Sequence, residues 1–149
     1  MQSAVSGDFF PSASGTPFVA GAEGLAGGGE LCLDVPDGVD FVNSTATFTG
    51  ALKFVKRGSG TYTSAKQQPY SGGTAVEAGR IRFQRSATST FCGFGAWGRD
   101  VAVSPGAQIV INADYQTLNG YRVTIAGDGP DGKGAIYGNA SGNTSWNGS

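Results

Sequence analysis

The residues of this chain that could do chemistry are few, and their spacing does not build a catalytic centre. There is no histidine to act as a general base or as a metal ligand. No glycine-rich phosphate loop is present, and Asp100 and Asp114 form a carboxylate pair only in the sense that any two acids do. We therefore predict that the protein is not an enzyme and uses no cofactor.

Two further motifs imitate metal or redox sites. Residues 128–134 contain two aspartates among glycines, but they lack the alternating third ligand and the terminal glutamate of a calcium loop, which favours a plain turn. Cys32 and Cys92 lie in apolar, strand-like contexts. Two buried free thiols are the first interpretation and a disulfide between them is the alternative. Two cysteines without histidine predict no metal site.

The charged side chains are sorted along the chain. Residues 1–50 contain six acids and no base, and residues 51–100 contain eight bases and two acids. Such blocks indicate a surface that meets a complementary surface, in another copy or in a partner lattice. We expect Arg80, Arg82 and Arg85 to orient that contact. The basic residues also resemble a crude nucleic-acid platform, but the sequence pI of about 5.2 disfavours nucleic acid as a partner.

The elements that must position these residues are predicted to be β-strands. Glycine accounts for 26 of 149 residues, and it costs about 1 kcal/mol at an interior helix position. From Glu30 onward, strand candidates recur about every ten residues, the spacing of sandwiches and barrels. No repeat of about 20 to 50 residues is visible, which argues against a solenoid. We predict an all-β fold, a single β-sandwich of about eight or nine short strands, with the jelly roll as its candidate topology.

Alternation and turn signals locate the strands. Residues 80–85 alternate cleanly, with Ile81 and Phe83 on one face and Arg80 and Arg82 on the other. Gly58-Ser59-Gly60 and Asn119-Gly120 predict hairpins. The candidates are residues 30–35, 41–49, 51–56, 61–66, 74–78, 80–85, 100–104, 107–112, 121–126 and 135–137, with a bulged stretch at 90–97.

The chain divides into three predicted segments. Residues 1–29 form an extended N-terminal arm that contains Gly and Phe, residues 30–138 form the sandwich domain, and residues 139–149 form a flexible tail. Phe9, Phe10 and Phe18 are too apolar for a linker, because burying each contributes about 1.5 to 3 kcal/mol. They dock on the protein's own body or on a neighbour. Neither a secretory leader nor a membrane span follows Met1, so either a leader has been removed or the protein is made and used in the cytoplasm. Met1 favours the second option, which predicts a virion protein assembled in a host cytoplasm with no membrane partner; an extracellular location is the alternative.

These features together predict a virion structural protein. Their general character resembles small capsid-decorating proteins of tailed phages, whose extended arms grip a shell while a β body projects, often as trimers. We expect a capsid decoration or cement protein, or a fibre component, that forms a homo-oligomer and binds a shell or neighbouring subunits through its arm. The first alternative is an extracellular filament or adhesin subunit that assembles by strand addition. The second is a carbohydrate-binding module in which Trp97, Tyr115, Tyr121 or Tyr137 stacks on a sugar ring.

Overall fold

The computed structural model describes residues 18–19, 29–44, 48–65, 67–84, 91–92, 94–96, 98–112, 117–138 and 145–147. These residues form strands, corners and turns. The strands are β1 (Phe18–Val19), β2 (Glu30–Asp34), β3 (Asp40–Asn43), β4 (Phe48–Thr49), β5 (Lys53–Arg57), β6 (Thr61–Ser64), β7 (Thr74–Val76), β8 (Gly79–Phe83), β9 (Phe91–Cys92), β10 (Gly95–Ala96), β11 (Asp100–Val103), β12 (Ala107–Ile111), β13 (Thr117–Asn119), β14 (Arg122–Ile125), β15 (Ile136–Gly138) and β16 (Ser145–Asn147).

Ten of these strands form two parallel sheets. Sheet 1 contains β2, β5, β7, β11 and β14 in that order, and sheet 2 contains β3, β6, β8, β12 and β15. All neighbours in both sheets are parallel. Because the chain alternates between the sheets, it winds as a parallel β-solenoid of about four full turns. We number the five pairs of strands as rungs 1 to 5, from β2 and β3 to β14 and β15.

The prediction of an all-β fold is confirmed, and the prediction of a β-sandwich or jelly roll is wrong. The strands lie close to their predicted positions, but β5 and β6, predicted as a hairpin across residues 58–60, lie in different sheets. The hairpin predicted at Asn119-Gly120 is also wrong, because β13 pairs with β16 and β14 pairs with β11. Parallel strands need a crossover of about a dozen residues or more, and here the rest of each rung supplies it.

The core fills the space between the two sheets. Inward side chains at alternate strand positions are buried, as the two-residue period of a strand requires. In rungs 1 and 2, Phe41, Tyr62, Phe54, Tyr70 and Phe48 form a chain of ring contacts with centroids 5.1 to 6.1 Å apart. Each buried ring contributes about 1.5 to 3 kcal/mol. A second group of rings, Phe83, Phe94 and Tyr121, packs with centroids 3.9 and 5.8 Å apart in the later rungs.

A glycine with a left-handed backbone stands at the corner that follows each sheet 1 strand. These residues are Gly38, Gly58, Gly79, Gly106 and Gly127, with φ between 65° and 79°. Glycine adopts this conformation without the steric penalty of a Cβ atom. The corners between the sheets are thus fixed by residue type.

Lys56 is a charged residue in an inward column. It stands in register with Leu33 and Val76, and it is fully buried. Its Nζ donates to the carbonyl oxygens of Arg57 at 2.7 Å, Gly58 at 2.7 Å and Ala78 at 3.2 Å. The ammonium group therefore joins the corner of rung 2 to the corner of rung 3. Burial lowers the pKa of Lys56 to about 8, although the charge of Asp34 opposes the shift.

The free energy of unfolding is expected to rise with pH above about 8. Between the folded pKa of about 8 and the ordinary pKa of 10.5, the unfolded chain holds a proton on Lys56 that the folded chain has released. Below that interval Lys56 is protonated in both states, so the folded state carries the full free-energy cost of burying a charged ammonium group. Urea unfolding at about pH 7.5, 9 and 10 should show the wild type gaining up to about 1.4 kcal/mol per pH unit over a Lys56→Met variant. Equal pH dependence of the two proteins would contradict this expectation.

Candidate functional site

Strand β8 places two arginines on the outer face of sheet 2. The predicted alternation is confirmed, because Ile81 and Phe83 are buried while Arg80 and Arg82 are partly exposed. Register places Arg80 between Thr61 and Gln108. Sheet pairing therefore lines up polar side chains from successive rungs on this face, at right angles to the strands.

Arg82 links three rungs. Its Nη1 lies 2.6 Å from Oδ2 of Asp40 in rung 1, across Thr63 of rung 2. The Thr63 hydroxyl donates to Oδ1 of the same carboxylate at 2.6 Å. Asp40 thus receives a charged and a neutral hydrogen bond, a combination that fixes the orientation of the guanidinium group.

Arg80 is held from the opposite side by a long corner. Residues 126–135 join β14 to β15, whereas the equivalent corners of rungs 2 to 4 span two or three residues. Oδ2 of Asp131 in this corner lies 3.1 Å from Nη2 of Arg80. Gln108 lies between them: its Nε2 donates to Asp131 Oδ1 at 3.0 Å and to the Gly134 carbonyl at 2.8 Å, and its Oε1 accepts from Arg80 Nε at 3.0 Å. The corner is thereby anchored on the sheet.

Two open depressions lie on either side of these arginines. One has a volume of about 380 Å³ and is bounded by Val110, Asn112 and Tyr137 together with Asp131. The other, of about 290 Å³, is bounded by the Asp37 to Asp40 corner and by residues 59–61. Arg80 and Arg82 line both. The two depressions are therefore neighbours on the outer face of sheet 2, and we refer to the pair as the groove.

The surroundings of Asp131 in the groove favour its charged form. Partial burial tends to raise the pKa of Asp131, but hydrogen bonds from Gln108 and the Lys133 amide and the charge of Arg80 outweigh it and lower that pKa. An ionised Asp131 cannot act as a general acid at neutral pH. Lys133 Nζ lies 4.9 Å from the Tyr137 ring centroid, in a cation–π contact. The arrangement is suited to hydrogen bonding and ring stacking.

The sorted charges pair within the chain. Glu30 of rung 1 lies 2.8 Å from Lys53 of rung 2, and Asp40 of rung 1 pairs with Arg82 of rung 3. Stacking rungs of about twenty residues places the acidic first block against the basic second block. Two acids of the first block are therefore paired with two bases of the second block inside the chain.

Of the other predicted contact residues, the structure describes only the backbone of Phe18. Phe9, Phe10 and Arg85 lie outside the described residues, and Phe18 belongs to β1, whose backbone pairs with β4. Cys32 carries a free thiol on sheet 1. Cys92 lies in β9, where only the backbone is described.

Two of the predicted sugar-stacking residues, Tyr121 and Tyr137, are described, and of these two Tyr137 lines the groove. Tyr121 is fully buried and donates its hydroxyl to the Gly95 carbonyl at 2.7 Å, so that prediction is wrong. Trp97, Tyr115 and Asp114 lie outside the described residues. Asp100 is paired with Arg122 at 2.7 Å on sheet 1.

The sequence did not identify Gln108, Asn112 or Asp131 as site residues. The nearest signal is the glycine-rich stretch at residues 128–134, for which the sequence favours a plain turn. Asp131 uses its carboxylate for Arg80 and Gln108, and the described residues contain no cluster of three metal-ligating side chains.

Comparison of the chain with protein-family models, curated proteins and solved structures finds no match. Among the residues that the structure describes, none belongs to a helix that could cross a membrane. The function must therefore be argued from the solenoid and its groove.

Proposed function

We propose that this chain is a structural segment of a fibre-like assembly, in the first instance a virion component. The observation that carries the proposal is the use of charge to join rungs. On sheet 1, Arg57 and Glu77 are 2.7 Å apart between rungs 2 and 3, and Asp100 and Arg122 are 2.7 Å apart between rungs 4 and 5. Exposed pairs of this kind contribute only about 0 to 1 kcal/mol each. Their role is to hold the rungs of a rigid rod in register.

A virion setting is supported by the polar, glycine-rich composition and by the absence of catalytic equipment in the sequence. In this proposal the apolar N-terminal arm contacts a shell or neighbouring subunits, and the protein assembles as a homo-oligomer such as a trimer. Light scattering on the full chain and mass spectrometry of purified particles test it. A defined oligomer that co-purifies with a particle is expected. A monomer that associates with no particle would contradict the proposal.

The second candidate function is a filament subunit that assembles by strand addition. It is favoured by the exposed end of rung 5, where Ile125 occupies an inward column position and yet is 53% exposed. Among the described strands, β14 and β15 each have one unpaired edge. Such an edge can accept a further parallel strand.

Replacing Ile125 with aspartate is expected to abolish end-to-end association. Light scattering across a concentration series should show the wild type growing in mass and the Ile125→Asp variant remaining small, because a charge at this column position opposes burial against another rung. Thr124→Asp is the matched control, since Thr124 is the exposed, outward-facing neighbour. A wild type whose mass does not change with concentration would exclude the filament candidate.

A further inference from the structure

We propose that the groove on the outer face of sheet 2 binds an uncharged polysaccharide chain. The binding site goes beyond the structural role and does not depend on it. It consists of Arg80, Arg82, Asp131, Asn112 and Tyr137, with the Asp37 to Asp40 corner at its other end.

The shape of the groove suits an extended polymer. The two depressions share Arg80 and Arg82 as lining residues, so they lie next to each other on this face of the solenoid. The lining residues come from rungs 1 to 5, and neighbouring strands are about 4.8 Å apart. A ligand lying along the solenoid axis would therefore contact several rungs at once, as extended partners do on other stacked repeats.

The lining groups match the hydroxyl groups of sugars. A sugar hydroxyl both donates and accepts, and the groove offers guanidinium and amide donors beside carboxylate acceptors. Arg82 has five N–H groups, of which its contact with Asp40 engages Nη1, the one described hydrogen bond of this side chain. Gln108 is fully buried and satisfied by Arg80, Asp131 and Gly134, so it positions the other groups.

Tyr137 provides an aromatic surface at one end of the groove. Its ring is partly buried and lines the larger depression. The ammonium group of Lys133 is placed against the ring at 4.9 Å, which favours a fixed ring orientation. A planar aromatic side chain with a polar tip combines apolar contact area with a hydrogen bond, and both suit a pyranose ring.

The charge balance selects an uncharged ligand. The cations at the groove are Arg80, Arg82 and Lys133, and the anions are Asp37, Asp40 and Asp131. A polyanion would gain no net attraction and would compete with Asp40 and Asp131 for the arginines. Acidic polysaccharides and nucleic acids are therefore the disfavoured ligands.

A panel of neutral gluco-, manno-, xylo- and galacto-oligosaccharides, with polygalacturonate as the acidic comparison, tests the inference on the full chain. We expect at least one neutral oligosaccharide to bind, with an affinity that changes little between low and high salt. Binding of polygalacturonate alone, with an affinity that falls steeply with salt, would overturn the proposal in favour of an acidic ligand. Binding of no oligosaccharide would also overturn it.

Variants locate the site. Tyr137→Ala and Arg82→Gln are expected to weaken binding about tenfold or more, while Arg122→Gln, which removes an exposed arginine from sheet 1, should leave it unchanged. Tyr137→Phe separates the ring from its hydroxyl and should retain part of the affinity. Circular dichroism checks that each variant is folded.

Equal affinity of Arg82→Gln, Tyr137→Ala and the wild type would place binding elsewhere. None of these results depends on oligomeric state, so the structural proposal stands or fails separately.

Discussion

Gly79→Ala is expected to lower the free energy of unfolding by about 4 kcal/mol or more, enough to unfold a marginally stable protein. Gly79 has a φ of 65°, and a Cβ atom there would lie 2.5 Å from the Gly58 carbonyl oxygen and still closer to that of Gly60. Both atoms belong to the backbone of the rung 2 corner, which cannot move aside without breaking the stack. Urea unfolding followed by circular dichroism measures the loss.

Gly106→Ala is the matched control, because Gly106 occupies the equivalent corner of the next rung. Its φ is 78°, but no atom lies within 4 Å of its Cβ position. The variant should therefore show only the left-handed backbone penalty of about 1 to 2 kcal/mol. If the two variants lose similar amounts of unfolding free energy, the close approach of the corners of rungs 2 and 3 does not limit stability.

Lys56→Met is expected to lower the free energy of unfolding by about 2 to 4 kcal/mol at neutral pH. The substitution keeps most of the buried aliphatic volume but removes the Nζ donor from the carbonyl oxygens of Gly58 and Ala78, while the Arg57 carbonyl oxygen keeps the hydrogen bond from the Val35 amide. An unsatisfied buried polar group costs about 1 to 3 kcal/mol, and relief from burying a charge recovers part of this loss.

Lys53→Met is the control for Lys56→Met. Lys53 lies on the outer face of the same strand and pairs with Glu30 at 2.8 Å, with both side chains exposed. Its replacement should cost no more than about 1 kcal/mol. If Lys56→Met is as stable as Lys53→Met, the contact between the ammonium group and the carbonyls contributes nothing to the fold.

Local structure was predictable from the sequence, and strand pairing was not. Residues 80–85 showed the alternation that places Ile81 inward and Arg82 outward, and this holds in the solenoid because it depends on the strand alone. Pairing depends on distant residues. Gly58-Ser59-Gly60 is compatible with a hairpin and equally with a corner between two sheets, so the turn signal could not decide the topology.

The repeat was present in the sequence in a form that residue similarity does not reveal. The corner glycines, from Gly38 to Gly127, follow one another after 20, 21, 27 and 21 residues. Five positions are hard to distinguish among 26 glycines, and the inward column holds Leu33, Lys56 and Val76 in register. The solenoid conserves position and burial rather than residue type, and only the structure reveals those.

Only part of the groove could be predicted, because some of its residues follow a local strand pattern and others reach it from a distant part of the chain. Arg80 and Arg82 were identified from a local pattern. Asp131 reaches Arg80 from 51 positions further along the chain, through a corner whose sequence resembles an ordinary turn. Nothing in the local pattern of residues 126–135 indicates which face of the sheet it covers.

The stacking of rungs also determines how this protein can change length. Removing one residue within a strand would turn the following side chains of that strand to the opposite face and disrupt its columns. Removing or duplicating a whole rung, such as residues 53–73, would keep the remaining columns in register, because each rung contacts mainly its neighbours. Viable insertions and deletions in descendants of this gene should therefore occur in whole rungs or in the corners between them.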